Sequence, residues 1–201
     1  MKTIRLTKMD KDKIIKILIA GGILAFPTDT VFGLGCMMDE KAMTKIYEAK
    51  GRSFNKPLPM MCDSLTMIEE YAQVNEDARK IIERFTPGAL TVVFKKKEEL
   101  PDYVTNGFPT IGIRVPEDSF ILDLIATIGK PLMVTSANIS GEPSLRQWKD
   151  VYDCLKGKID GIVCEDALAD TASTIIDVSE EEIKVLREGQ LGISEIMEVL
   201  Q

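Results

Sequence analysis

Three short polar clusters, each set against an apolar run, constrain this 201-residue chain more than any other feature. They are Pro27-Thr28-Asp29-Thr30 ahead of Gly33-Leu34-Gly35, Lys50-Gly51-Arg52 with Lys56, and Thr135-Ser136-Ala137-Asn138. A chain that only has to fold spaces its polar residues regularly along one face. These clusters instead break buried-looking runs with cations, hydroxyls and an amide, the groups that grip phosphate and carboxylate. The first and third follow residues 23–26 and 131–134, short apolar runs that read as strands emerging into loops. Open α/β sheets bind ligands outside the carboxyl ends of their strands. The pattern therefore points to a nucleotide-handling cleft.

The rest of the chain alternates between helical and strand periodicity. Asp10 opens a helix to about residue 20, where Ile14, Ile15, Leu18 and Ile19 recur at helical spacing before Gly21-Gly22 stops it. Asp39 caps a second helix to about residue 49, with Met43, Ile46 and Tyr47 facing inward. Amphipathic segments follow at about 64–72 and 75–85, then a β-rich run at 90–94. Residues 110–116 alternate as a strand, which puts Thr110, Gly112 and Arg114 on one face. A helix over 119–128 ends at Gly129. The remainder predicts a helix near 146–155, strands at 159–163, 173–177 and 183–186, and a last helix to about residue 199. This order defines an α/β protein with a mixed parallel and antiparallel sheet.

At 45% hydrophobic and 28% charged, the chain buries a substantial core. With no repeat, low-complexity run or linker in it, a single domain over residues 1–201 is expected. A net charge of −7 argues against a surface that wraps nucleic acid and leaves room for a local basic cleft. Four cysteines without CxxC spacing, and no histidine at all, make a zinc set improbable on donor chemistry. The missing histidine also excludes Ser-His-Asp and Cys-His catalysis. No signal-type region and no apolar run of membrane length stand in the sequence, so a cytoplasmic protein with no membrane association is expected.

Each cluster also has an ordinary reading. Lys50, Gly51 and Arg52 suit the C-terminus of a helix beside a glycine cap. Ser136 and Asn138 suit a turn, Asp29 an Asx motif, and Ser173-Thr174 a strand start. Gly33-Leu34-Gly35 does not extend to a dinucleotide fingerprint, because Met38 stands where the third glycine is required, and no Walker sequence occurs.

Taken together, residues 27–35, Lys50-Gly51-Arg52, Lys56-Pro57-Leu58, Pro87-Gly88-Ala89-Leu90-Thr91, Arg114-Val115-Pro116, residues 136–141 and Ser173-Thr174-Ile175 resemble the YrdC/Sua5/YciO family in order and spacing. The resemblance spans roughly residues 12–190. It implies an open, twisted mixed sheet with flanking helices and a large concave, positively charged cavity. For most members it implies an L-threonylcarbamoyladenylate synthase. Such an enzyme joins L-threonine, bicarbonate and ATP, with Mg²⁺ carried by the ATP phosphates and no metal held by protein side chains. It releases pyrophosphate and passes its product to tRNA threonylcarbamoyl-transfer machinery acting at adenosine 37. A weak affinity for tRNA or double-stranded RNA would accompany this role.

Residue by residue, the resemblance assigns Lys50 and Arg52 to catalysis, and Arg52, Lys56, Thr110, Ser136, Asn138 and Arg187 to ATP. It assigns Thr30, Arg114 and Ser173 to threonine, with Arg114 holding the carboxylate through a bidentate fork. Two positions depart from the family pattern on the amino-acid side: Phe32 replaces a common tyrosine, and Met61 stands where some archaeal members have histidine. The longer Sua5 form carries an additional C-terminal domain. A YciO-like relative acting on another carbamoyl compound, and a noncatalytic RNA-binding module, are the competing expectations.

Overall fold

The computed structural model describes residues 2–200. Strand β1 (Ile4–Leu6) and helix α1 (Lys11–Ile19) lead to β2 (Leu24–Phe26), β3 (Gly33–Met37) and α2 (Glu40–Lys50). Then come β4 (Met60–Met61), α3 (Leu65–Tyr71), α4 (Glu76–Phe85), β5 (Leu90–Lys95), the short α5 (Asp102–Thr105) and β6 (Thr110–Arg114). The chain continues through α6 (Ser119–Ile128), β7 (Leu132–Ser136), α7 (Trp148–Leu155), β8 (Gly161–Val163), β9 (Thr174–Asp177), β10 (Lys184–Arg187) and α8 (Ile193–Glu198). Among the described residues the ten strands join one sheet in the order β1-β8-β2-β3-β7-β4-β6-β5-β9-β10. Its pairings are mixed: β1, β2 and β8 run parallel, as do β4 with β6 and β5 with β9. The remaining neighbours are antiparallel.

Helix caps are legible in the chain. The Asp39 carboxylate accepts the Ala42 N–H, and Asp118 accepts that of Ile121. Asp10 precedes α1 as expected, but its carboxylate accepts from Thr7 and Lys13 instead of an α1 backbone N–H. Strand β3, at the sheet's centre, was not foreseen, because two glycines in five residues suppress the strand signal. The reason for glycine is close packing. A Cβ at Gly35 would sit 2.9 Å from the Phe26 ring and 3.1 Å from Val134.

Alternation along the strands feeds two cores. Ala25 and Met133 join the larger one, which α2, α3, α4, α7 and α8 cover through residues such as Ile46, Ile68, Ile81, Leu155 and Ile196. Leu24, Phe26, Leu132 and Val134 turn the other way, onto Ile14 and Leu18 of α1 and Ile121, Leu124 and Ile125 of α6. Each fully buried Leu, Ile or Phe contributes about 1.5–3 kcal/mol. The smaller core holds no residue of β5, β6, β9 or β10. Helical cover on that face therefore stops partway across the sheet, and the exposed remainder is where a ligand can reach the strands. Among the described residues no helix is long and apolar enough to cross a membrane.

Candidate active site

A cleft of about 200 Å³ opens where that cover stops. Met61 and Val134 form its floor beside the smaller core, and Thr91, Arg114, Ser173 and Ile175 form the uncovered half. The loop after β2 supplies Thr28, Thr30 and Val31, while Arg52, Ser136, Ser144 and Arg187 stand around the cleft. This is smaller than the large cavity the resemblance implies. Pockets for drug-sized ligands run to roughly 300–1,000 Å³, so this one matches a ligand of about the size of an amino acid.

Arg114 organises the amino-acid-sized end. It is the last residue of β6, and its guanidinium donates from Nε to the Gly88 carbonyl (3.0 Å), from Nη1 to Thr30 Oγ1 (2.6 Å) and from Nη2 to Asp29 Oδ2 (2.6 Å). Thr30 is itself set by Thr28, whose hydroxyl accepts the Thr30 N–H and donates to the Val31 carbonyl. The Arg114 and Asp29 side chains are 6% and 9% exposed, a buried ion pair. Burial pushes the guanidinium's pKa down, and the Asp29 charge offsets part of that. Asp29 Oδ1 is buried and has no hydrogen-bond partner.

The opposite wall is held by hydroxyls and a second arginine. Ser173 Oγ and Thr91 Oγ1 share a hydrogen bond of 2.8 Å. Arg187 donates through Nε and Nη2 to the Ser173 carbonyl, with a longer contact to its hydroxyl. Behind this wall Gly189 donates its N–H to Thr174 Oγ1 at 2.9 Å. A Cβ at Gly189 would collide with the backbone of Ala172, Ser173 and Thr174. Gly189→Ala is therefore expected to cost about 1–3 kcal/mol through overpacking and to weaken ligand binding beside Ser173, read by thermal unfolding and titration calorimetry. Unchanged values in both would show that the wall is free to yield.

Lys50 ends α2 and is followed by Gly51 in the left-handed conformation. Only 1% of it is exposed. Its ammonium donates to the Ser136 carbonyl, the Asn138 carbonyl (2.6 Å) and Asn138 Oδ1 (3.2 Å). Asn138 Oδ1 also accepts from Ser136 Oγ, and its amide donates to the Ile139 and Glu142 carbonyls. Lys50 and Asn138 thus clamp the segment that presents Ser136. Burial, and then the charge of Arg52, push the Lys50 pKa from 10.5 down to about 8. Between these values the unfolded chain binds more protons than the folded one, so this group makes stability rise with pH over about 8 to 10.5. Lys50→Met should abolish that rise and cost about 1–3 kcal/mol for an acceptor left unsatisfied. Denaturant unfolding at pH 8 and pH 10 checks both, and an unchanged pH slope would contradict the assignment.

Six of the residues singled out from the sequence, Thr30, Arg52, Ser136, Arg114, Ser173 and Arg187, line the cleft together. Four do not. Lys50 and Asn138 are spent on the clamp, and the Lys56 side chain is exposed while its carbonyl accepts from Arg52 Nε. Thr110 opens β6 opposite Lys95, four residues and roughly 13 Å of strand from Arg114. Thr91 and Ser144 line the cleft without having been singled out. Thr91 was legible as the polar residue on the off-phase of a β-rich run.

The fold is that of an α/β protein with a mixed open sheet, whose cleft gathers arginines and hydroxyls. The chain belongs to the Sua5/YciO/YrdC family, whose model, described as "Telomere recombination", matches residues 16–189. A threonylcarbamoyl-AMP synthase of Pyrococcus abyssi is 38% identical over 194 residues, covering 92% of this chain and 57% of that protein. A putative threonylcarbamoyl-AMP synthase of Methanocaldococcus jannaschii is 35% identical, with 98% and 95% covered. Among solved structures, P. abyssi Sua5 complexed with L-threonine superposes with a TM-score of 0.91 at 35% identity, over 99% of this chain and 60% of that one. E. coli YciO superposes with a TM-score of 0.87 at 25% identity, over 97% and 98%. The chain thus spans less than two thirds of the P. abyssi protein and nearly all of the other two.

Proposed function

We propose that the protein is an L-threonylcarbamoyladenylate synthase, a nucleotidyltransferase that forms threonylcarbamoyl-AMP and pyrophosphate from L-threonine, bicarbonate and ATP. The observation that carries this reading is an amino-acid-sized cleft centred on Arg114, Thr30 and Ser173 in a chain that matches, over nearly its whole length, a protein crystallised with L-threonine. Arg114 takes the threonine carboxylate with its remaining N–H groups, and Thr30 and Ser173 stand beside the side-chain hydroxyl. The threonine ammonium gives up a proton to solvent, and the free amine adds to CO2 with release of a second proton, or to bicarbonate with release of water, to give an N-carboxylate. Its oxygen then attacks the α-phosphorus of ATP, and pyrophosphate leaves. A carboxylate nucleophile needs no general base, which suits a chain without histidine.

The protein's part is to hold two anions together and offset charge on the leaving group. Arg52 and Arg187 are placed at the cleft for this, with Ser136 positioned by Lys50 and Asn138. Lys56 and Thr110 meet the nucleotide only where it extends beyond the cleft. Mg²⁺ enters on the ATP phosphates. No group of three or more His, Cys, Asp or Glu that could hold a metal ion occurs among the described residues. The product would pass to the tRNA threonylcarbamoyl-transfer machinery in the cytoplasm. Phe32 and Met61 both line the cleft, and the likeness to YciO keeps a second reading in view, an enzyme of the same chemistry with another amino-acid or carbamoyl substrate. Pyrophosphate release from ATP, Mg²⁺ and bicarbonate tests the proposal. It should require threonine and fall sharply with serine. Release that is indifferent to the amino acid favours the second reading.

A further inference from the structure

Residue 106 is an asparagine in a conformation that glycine adopts more easily. It ends α5 with φ 52° and ψ 38°, and among the described residues no other side chain but the hydrogen of glycine goes with a positive φ. What asparagine adds here is its amide, and both amide hydrogens are committed. Nδ2 donates to Tyr47 Oη at 2.8 Å and to the Phe54 carbonyl at 2.7 Å.

These two partners hold the loop that carries Arg52. Residues 53–56 are exposed, so little within the loop itself sets its course. The Phe54 ring stacks on Tyr47 with centroids 4.4 Å apart. Tyr47 Oη also lies 3.4 Å from the Lys56 carbonyl, and burial pushes the phenol's pKa up, so the hydroxyl keeps its proton for that contact. The same Lys56 carbonyl accepts from Arg52 Nε at 2.8 Å, and the Pro57 carbonyl accepts from Nη2 at 3.0 Å. Both ends of the support are fixed: Tyr47 is buried in α2, and α5 buries Val104 and Thr105 just before Asn106. Neither Tyr47 nor Asn106 lines the cleft, whereas Arg52 does.

We propose that Asn106, together with Tyr47, is a positioning residue for Arg52, its amide fixing the loop whose carbonyls direct the guanidinium into the cleft. The inference rests on the reading of Arg52 as a group that acts on the nucleotide.

Asn106→Gly keeps the left-handed backbone and removes only the amide, so the fold should hold. Turnover in adenylate formation should fall about tenfold, less than on outright removal of Arg52, because a displaced group keeps part of its effect. Threonine affinity by titration calorimetry should be unchanged, since Arg114 and Ser173 belong to other elements. Combined with Arg52→Ala, Asn106→Gly should slow turnover no further than Arg52→Ala alone, as the amide acts only through that guanidinium. Additive losses, or full turnover of Asn106→Gly, would overturn the proposal. Tyr47→Phe keeps the ring stack and loses the hydroxyl; it should show the same non-additivity with Arg52→Ala, and it decides should Asn106→Gly not fold. Hydrogen exchange reads the loop apart from the chemistry. The Lys56 N–H, bonded to the Ser53 carbonyl at 3.1 Å, should exchange faster in Asn106→Gly. If the wild type forms no adenylate, the synthase reading falls alone, and exchange then decides: faster exchange upholds the support of the loop, and unchanged protection sinks it.

Discussion

Arg52→Ala is expected to lower the rate of adenylate formation about 10²-fold or more, the scale set by loss of one charge-stabilising donor at a reacting centre. Arg52 lines the cleft, and its guanidinium is anchored on the Lys56 and Pro57 carbonyls at 2.8 and 3.0 Å. Carbonyl partners fix its direction without cancelling its charge, which stays available to phosphate. Arg114 differs here, since Asp29 already compensates it. Steady-state kinetics should show the Arg52→Ala loss mainly in turnover. Lys56→Ala, which removes an exposed side chain, should change turnover by only a few-fold. Turnover of Arg52→Ala within a few-fold of the wild type would remove Arg52 from the reaction.

Arg114→Met should destabilise the fold by about 3–5 kcal/mol, because breaking a buried pair leaves the Asp29 carboxylate without its cation. It also strands the Gly88 carbonyl and frees Thr30. Threonine binding should be lost at protein concentrations where the variant remains folded. The cost belongs largely to the orphaned charge, so Asp29→Asn combined with Arg114→Met should be more stable than Arg114→Met alone. Chemical denaturation of the three variants decides. A loss under about 1 kcal/mol for Arg114→Met would mean the pair contributes little.

Much of this architecture was readable from periodicity. The helix expected over 119–128 is α6 to the residue, and the segments at 75–85 and 64–72 are α4 and α3 less a residue at one or both ends. Their apolar faces pack directly on the sheet, so local pattern and tertiary need agree. Strands β1 and β3 were not foreseen. Strand β1 is three residues at the sheet's edge, too short to show alternation. In β3 the glycines that make room for Phe26 are the residues that erase the strand signal.

The site follows the same logic. Arg114, Ser173 and Arg187 were assigned through the family resemblance, Arg114 alone being also placed on a strand face by alternation, and the fold brings all three to one cleft. Lys50 and Asn138 carry equally polar side chains in an equally suggestive cluster. Only three-dimensional proximity shows that the Lys50 ammonium is used up on carbonyls 86 and 88 residues away. The role of Asp29 was hidden for the same reason, since Arg114 lies 85 residues further along the chain.

The central claim is most directly tested by the mass of the nucleotide product formed from ATP, Mg²⁺, L-threonine and ¹³C-labelled bicarbonate. The account predicts an adenylate with the mass of threonylcarbamoyl-AMP, shifted upward by the single labelled carbon. It also predicts no such species when threonine is replaced by 3-hydroxybutyrate. An adenylate lacking the label, or ATP bound without any adenylate formed, would contradict it.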